Sequence, residues 1–196
     1  MSTETICYEQ PLNEHMRICL RLEYLFNQAA YGLKGTSKWD SRTALEAIMD
    51  IMNLVDRPDL KTKLGKELSR YLKHFSSMEQ NAHVDQQKLS ELLISLEDLA
   101  DTMHSATGKF GQPLRENDFL NTIRLHLTTP GGTSDFNTPA YKLWLRLSSN
   151  ERTEQLTHWL SHFETLYAAT DLLLRLTRQS AAPESKTAVL GFYQTT

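Results

Sequence analysis

Leucine recurs at every fourth position through Leu60, Leu64, Leu68 and Leu72, a spacing that gathers apolar side chains on one face only when the backbone is helical. Stripes of the same kind run along most of the chain, so the sequence specifies a helical bundle. Asn13 is placed to cap a first helix whose Met16, Leu20, Leu22, Leu25, Phe26 and Ala29 give a broad apolar face, the mark of a central element. Gly32 or Gly35 would end it in a left-handed cap. Asp40 or Ser41 caps a second helix with Leu45, Ile48, Met49, Met52 and Val55 as its stripe. Arg57-Pro58 stops that helix, because the residue before proline is pushed out of the α region. The leucine repeat forms the third helix. Asp85 caps a fourth with Leu89, Leu92, Leu93, Leu96, Leu99 and Met103, and the short polar connection makes the two an antiparallel pair. A single long helix is expected from about Asn150 to Gln179, carrying Leu156, Trp159, Leu160, Phe163, Leu166 and Leu173.

Between these helices, residues 110–147 hold the densest punctuation. Phe119, Leu120, Ile123 and Leu127 fit a short amphipathic helix, which Pro130-Gly131-Gly132 stops and Thr138-Pro139 restarts with a hydroxyl cap and a proline at the first helical position. Ala140, Leu143, Trp144 and Leu147 fit a helix, while Leu143, Leu145 and Leu147 also alternate as in a strand; the Thr-Pro start favours the helix. Arg115 and Arg124 precede the Pro-Gly-Gly break, and Lys142 and Arg146 follow it. The corner is thus either a turn whose charges face water or a preformed basic cleft. Paired glycines there suit a positive-φ turn.

Composition narrows the function. A net charge of −3 argues against phosphate-driven nucleic-acid binding. Cys7 and Cys19 give neither a disulfide framework nor a metal motif, consistent with a cytoplasmic protein. The start of the chain, with Glu4 and Glu9, does not read as a signal peptide, and residues 156–176 are too polar to span a bilayer. No phosphate-binding loop, nucleophile elbow or dinucleotide fingerprint occurs. His158 and His162 stand one turn apart but lack the glutamate of a zinc-protease motif. No catalytic residue, cofactor or metal is assigned.

Five blocks carry a family resemblance: PLNEHMRICLRLEYLF near the start, GQPLRENDFLNTIRLHLTTPGG and SDFNTPAYKLWL at the corner, then TDLLLRLTRQSA and GFYQ. In this order, from residue 6 to residue 194, they resemble the ZapD family of Z-ring-associated cell-division proteins. The resemblance implies a helical domain joined to a small β-domain, a homodimer, and binding to the C-terminal tail of FtsZ so that filaments are bundled. Family chains normally continue past GFYQ with further strands, whereas this one stops at Thr196. The β-domain is therefore expected to be incomplete. The family's basic surface falls here on Arg21 in its L-R-L-E run, Arg57 at the end of the second helix, and Arg115 in its L-R-E run. Lys142 stands where relatives can have histidine.

The expectation is a mainly α protein. Residues 12–180 form the helical domain, and residues 1–11 and 187–196 contribute strands to a small β-domain, with strand segments at 4–10 and 187–194. Its function would be non-enzymatic: binding the FtsZ tail through Arg21, Arg57, Arg115 and Lys142, cross-linking filaments at the mid-cell division site, and promoting Z-ring assembly and septation. Arginine suits such a peptide because its planar fork grips two carboxylate oxygens. Each arginine also has an acid beside it in the chain (Glu23, Asp56 and Glu116) with which it could pair on an exposed surface. The alternatives are a helical scaffold for another acidic or amphipathic peptide, and a bundle enzyme using His158 and His162 with a metal.

Overall fold

Asn13 opens the first helix: its side-chain oxygen accepts the Met16 amide at 2.8 Å, and α1 runs Glu14–Lys34. The computed structural model describes residues 8–81, 83–105, 108–134, 136–180 and 190–191. Among these, α2 spans Lys38–Leu54, α3 Leu60–Ser76, α4 Gln86–Ser105, α5 Gln112–Arg115, α6 Asp118–Leu127, α7 Pro139–Trp144, α8 Ser149–Ser161 and α9 Glu164–Arg178. The helix α1 packs against α2 and α9, α2 against α8, and the α3–α4 pair against α9. Leu22, Ile48, Met52, Leu96, Leu120, Phe163 and Leu173 meet in the shared core, each essentially inaccessible to solvent.

The junction of α1 and α2 differs from expectation in two ways. Ser37, and not Asp40 or Ser41, caps α2: its hydroxyl accepts the Asp40 amide at 3.1 Å, and the Asp40 carboxylate accepts the Ser37 amide at 2.9 Å. Asp40 is thus the third residue of a reciprocal capping box. Gly35 has φ −88°, so α1 ends without a left-handed residue. The glycines answer a different need, close approach. A Cβ on Gly32 would lie 2.6 Å from the Asp40 carbonyl oxygen, and one on Gly35 would lie 2.1 Å from Asp40 Cγ. Arg152, 4% exposed, locks the same junction. It donates from Nε to Ser41 Oγ at 2.9 Å, from Nη2 to the Thr36 carbonyl at 3.0 Å, and from Nη1 to the Leu147 carbonyl.

The long helix expected over residues 150–179 is two helices broken at His162–Phe163. Ser148 and Glu151 form the capping box that starts α8. At the break the Phe163 amide donates to the Leu160 carbonyl at 2.9 Å, a tightened last turn, and the Phe163 ring is fully buried. A Cβ on Gly111 would sit 2.6 Å from Phe163 Cζ, so a bare backbone closes over the ring. The stripe passes through the break in phase, with Leu156, Trp159, Phe163 and Leu166 all facing inward; periodicity alone could not reveal it.

The described residues contain helices and no strands, so the small β-domain is not supported. Residues 8–10, the described part of the first expected strand, are irregular, as is Pro11 after them. Pro11 offers no amide hydrogen there, and Glu9 is drawn to α9, where Arg178 Nε and Nη2 donate to its carboxylate at 2.6 and 2.8 Å. The rest of that segment and all of 187–194 except residues 190–191 lie outside the described residues. Thr138-Pro139 does restart the chain as helix α7, which settles the helix-or-strand alternative for residues 139–144. The Thr138 hydroxyl, however, makes no cap bond and donates to the Ser134 carbonyl at 3.3 Å.

Of the two corner glycines only Gly131 has positive φ, +70°, and open space surrounds it. Gly132 is required for another reason: a Cβ there would lie 2.0 Å from the His126 carbonyl oxygen. Gly131→Ala should therefore cost about 1–2 kcal/mol of left-handed strain. Gly132→Ala should cost more, since backbone must move. Urea unfolding of the two variants measures the order; an equal or smaller loss at residue 132 would contradict the close contact.

Candidate functional site

Helices α1 and α2 run antiparallel from their tight junction, and near the start of α1 they frame an open cleft of about 600 Å³. Leu20, Leu25 and Leu54 give it an apolar floor, while Arg17, Arg21 and Arg57 stand around it. Arg17 and Arg21 are four residues apart on α1, so they project from the same side of the helix. Tyr24, 67% exposed, extends that face. Glu14 reaches both flanking cations: Arg57 Nη1 lies 3.0 Å and Arg17 Nη1 2.8 Å from its two oxygens. Its carboxyl is held below the usual range by the hydrogen bond from Arg57, with the charge and hydrogen bond of Arg17 adding to the effect. On the far side Asp50 is pushed up by partial burial and by Glu46.

The four arginine and lysine candidates separate in space. Arg21 and Arg57 meet in this cleft. Arg115 belongs to a different cluster, and its side chain is only 13% exposed. Its Nη1 donates to Asp56 Oδ1 at 2.5 Å, and its Nη2 lies 3.4 Å from the carbonyls of Met52 and Phe110. Arg124 Nη2 takes the other oxygen of Asp56 at 2.6 Å, and Lys109 Nζ stands 3.7 Å away. Lys142 is exposed on α7, outside the cleft lining. The acids beside these arginines in sequence are not the partners found: Arg57 pairs with Glu14, Arg115 with Asp56, and Glu23 with Arg178. Successive residues on a helix diverge, so chain neighbours rarely face one another.

The corner is not a basic cleft either. The space beside Pro130 and Gly131 is about 340 Å³ and is lined by Arg42 together with Glu46 and Asp50. Arg42 donates to Glu46 at 2.7 Å and to the Thr133 hydroxyl at 2.9 Å, fastening the corner to α2. Arg115 and Arg124 are drawn instead to Asp56. Of the corner's aromatic side chains Phe136 is exposed, while Trp144 stacks on Trp159 at 6.1 Å with Phe119 between 5.8 and 5.9 Å from both.

Other chemistry is sparse. The rings of His158 and His162 lie 5.2 Å apart, and among the described residues no group of three or more His, Cys, Asp or Glu side chains could hold a metal. Burial, with Glu67 and Glu23 contributing, pushes the Cys19 thiol up to about 12, far from thiolate chemistry at neutral pH. Cys7 lies outside the described residues. No described helix is long and apolar enough to cross a membrane.

A family model described as ZapD, cell division protein, matches residues 20–196. The chain belongs to the ZapD family of cell division proteins. The cell division protein ZapD of Coxiella burnetii is 43% identical over 194 residues, which cover 99% of this chain and 75% of that protein. The ZapD proteins of Methylococcus capsulatus and Aromatoleum aromaticum are 36% and 37% identical over 96% and 97% of this chain, and over 74% and 75% of their own lengths. Arg17 stands with Arg21 and Arg57 around the cleft, and its spacing of four from Arg21 is the sequence signal for it.

The contrast between Arg115 and Arg21 is measurable. Arg115→Glu would set a carboxylate against Asp56 and abandon the bonds to Met52 and Phe110, at a cost of about 2–3 kcal/mol for a pair that is only partly buried. Arg21→Glu, on an exposed face, should stay within about 0.5 kcal/mol. Denaturant midpoints of the two variants compared with the parent provide the check, and equal stability would show that the Asp56 cluster does not brace the fold.

Proposed function

We propose that this chain is a non-enzymatic cell-division adaptor, cytoplasmic and acting at mid-cell, that holds the C-terminal tail of FtsZ in the α1–α2 cleft. As a homodimer it would engage more than one filament, bundle them, and so promote Z-ring assembly and septation. The observation that carries the reading is the cleft itself: an apolar floor of leucines with Arg17, Arg21 and Arg57 around it. Such a surface suits a peptide that buries an apolar side chain while its carboxylates meet guanidinium forks. Membership of the ZapD family supplies the division context. Arg115 and Lys142 enter as outlying contacts.

Co-sedimentation with polymerised FtsZ tests the proposal. Arg21→Glu combined with Arg57→Glu should lower affinity by about tenfold or more, since each charge-assisted hydrogen bond contributes about 1.5–3 kcal/mol. Binding should also weaken as salt rises, because charges this exposed are screened within about 8–10 Å at physiological ionic strength. Affinity that stays flat from low to high salt, or an unimpaired double variant, would overturn the cleft assignment. An unrelated acidic peptide that binds as tightly as the tail would assign the cleft to a general acidic-peptide scaffold instead.

A further inference from the structure

We infer that Glu14 occupies, in the free protein, the position that a carboxylate of the bound peptide takes, and that Arg17 is a third peptide-holding residue beside Arg21 and Arg57. This rests on the peptide-binding reading above and specifies its chemistry. Glu14 presents one carboxylate to two arginines from different segments. Its Oε1 lies 3.0 Å from Arg57 Nη1, just beyond α2, and its Oε2 lies 2.8 Å from Arg17 Nη1 on α1. That is the arrangement an incoming acidic side chain would need in order to bridge the two walls of the cleft.

The bridge is built to give way. All three side chains are between 42% and 46% exposed, and ion pairs at such surfaces are weak individually. Glu14 is the first residue of α1, so its side chain can swing toward solvent without disturbing the helix, and the start of a helix favours a negative charge in either position. The asymmetry lies in the arginines. Both line the cleft, whereas Glu14 does not. A ligand carboxylate inserted between them therefore keeps their charges paired while the rest of the peptide covers the leucine floor.

The test uses the full chain, a synthetic peptide of the FtsZ C-terminal tail, and calorimetric titration. Glu14→Gln removes the competitor while keeping its shape, and should tighten binding about two- to fivefold, whereas Arg17→Ala should weaken it. Asp59→Asn is the control for general charge. Asp59 sits near Arg57 but bonds to Lys63, so its neutralisation should produce a smaller gain. In the free protein the Glu14 carboxyl titrates below its ordinary range; carbon-detected NMR should find it moving back up when the peptide saturates the cleft. Equal gains from Glu14→Gln and Asp59→Asn, or a Glu14 titration unmoved by peptide, would overturn the inference. If those results came with binding still abolished by the Arg21 and Arg57 charge reversals, the cleft assignment would stand alone. If the parent protein did not bind the peptide at all, both would fall.

Discussion

How closely α1 and α2 can stand at Gly32 decides the geometry of the whole molecule. With backbone 2.6 Å from where a side chain would begin, the two helices meet at one end with nothing between them. Toward the other end, leucines and arginines of α1, α2 and the segment just beyond α2 line the cleft. Any side chain at Gly32 would force the tight end apart and change the cleft from the far side. Arg152 reinforces the contact by tying the linker, the first turn of α2 and the segment before α8 through one guanidinium. A buried cation satisfied by neutral oxygens is costly to disturb, because removing any acceptor leaves a desolvated donor.

The helical fold was largely legible because each helix writes its own apolar stripe and several write their own starts. Asn13 capped as expected, and so did Asp85, whose carboxylate accepts the Lys88 amide at 3.2 Å. What could not be read were features that depend on a partner distant in sequence. Gly35 and Gly132 looked like conformational glycines and are glycines of close approach; the identity of the residue is the same, and only the neighbour tells them apart. Phe163 kept the stripe in phase across a break, and its only sequence trace is Gly111, fifty-two positions earlier, with nothing to connect the two.

The types of the candidate residues are legible in the sequence, but the way they group in space is not. Arginine is a residue type suited to a carboxylate-bearing ligand, but the grouping of these arginines is set by how α2 and α5–α6 pack, which no local pattern records. Arg115 and Arg57 fall into separate clusters although Asp56 and Arg57 are adjacent, since one side chain turns toward α5 and α6 and the other toward α1. Arg17 could have been added from its spacing to Arg21 alone.

That adjacency has a mechanical meaning. Asp56 is gripped at both oxygens, by Arg115 of α5 and Arg124 of α6, one residue before the arginine that reaches into the cleft. A pull applied through Arg57 is therefore not taken by the end of a single helix. It is passed at once, through two short bonds, into a second pair of helices, which in turn bear on the aromatic stack of Phe119, Trp144 and Trp159. One wall of the cleft is thus a joint braced through Asp56 into α5 and α6, while the opposite wall is α1, held along its length by α2 and α9.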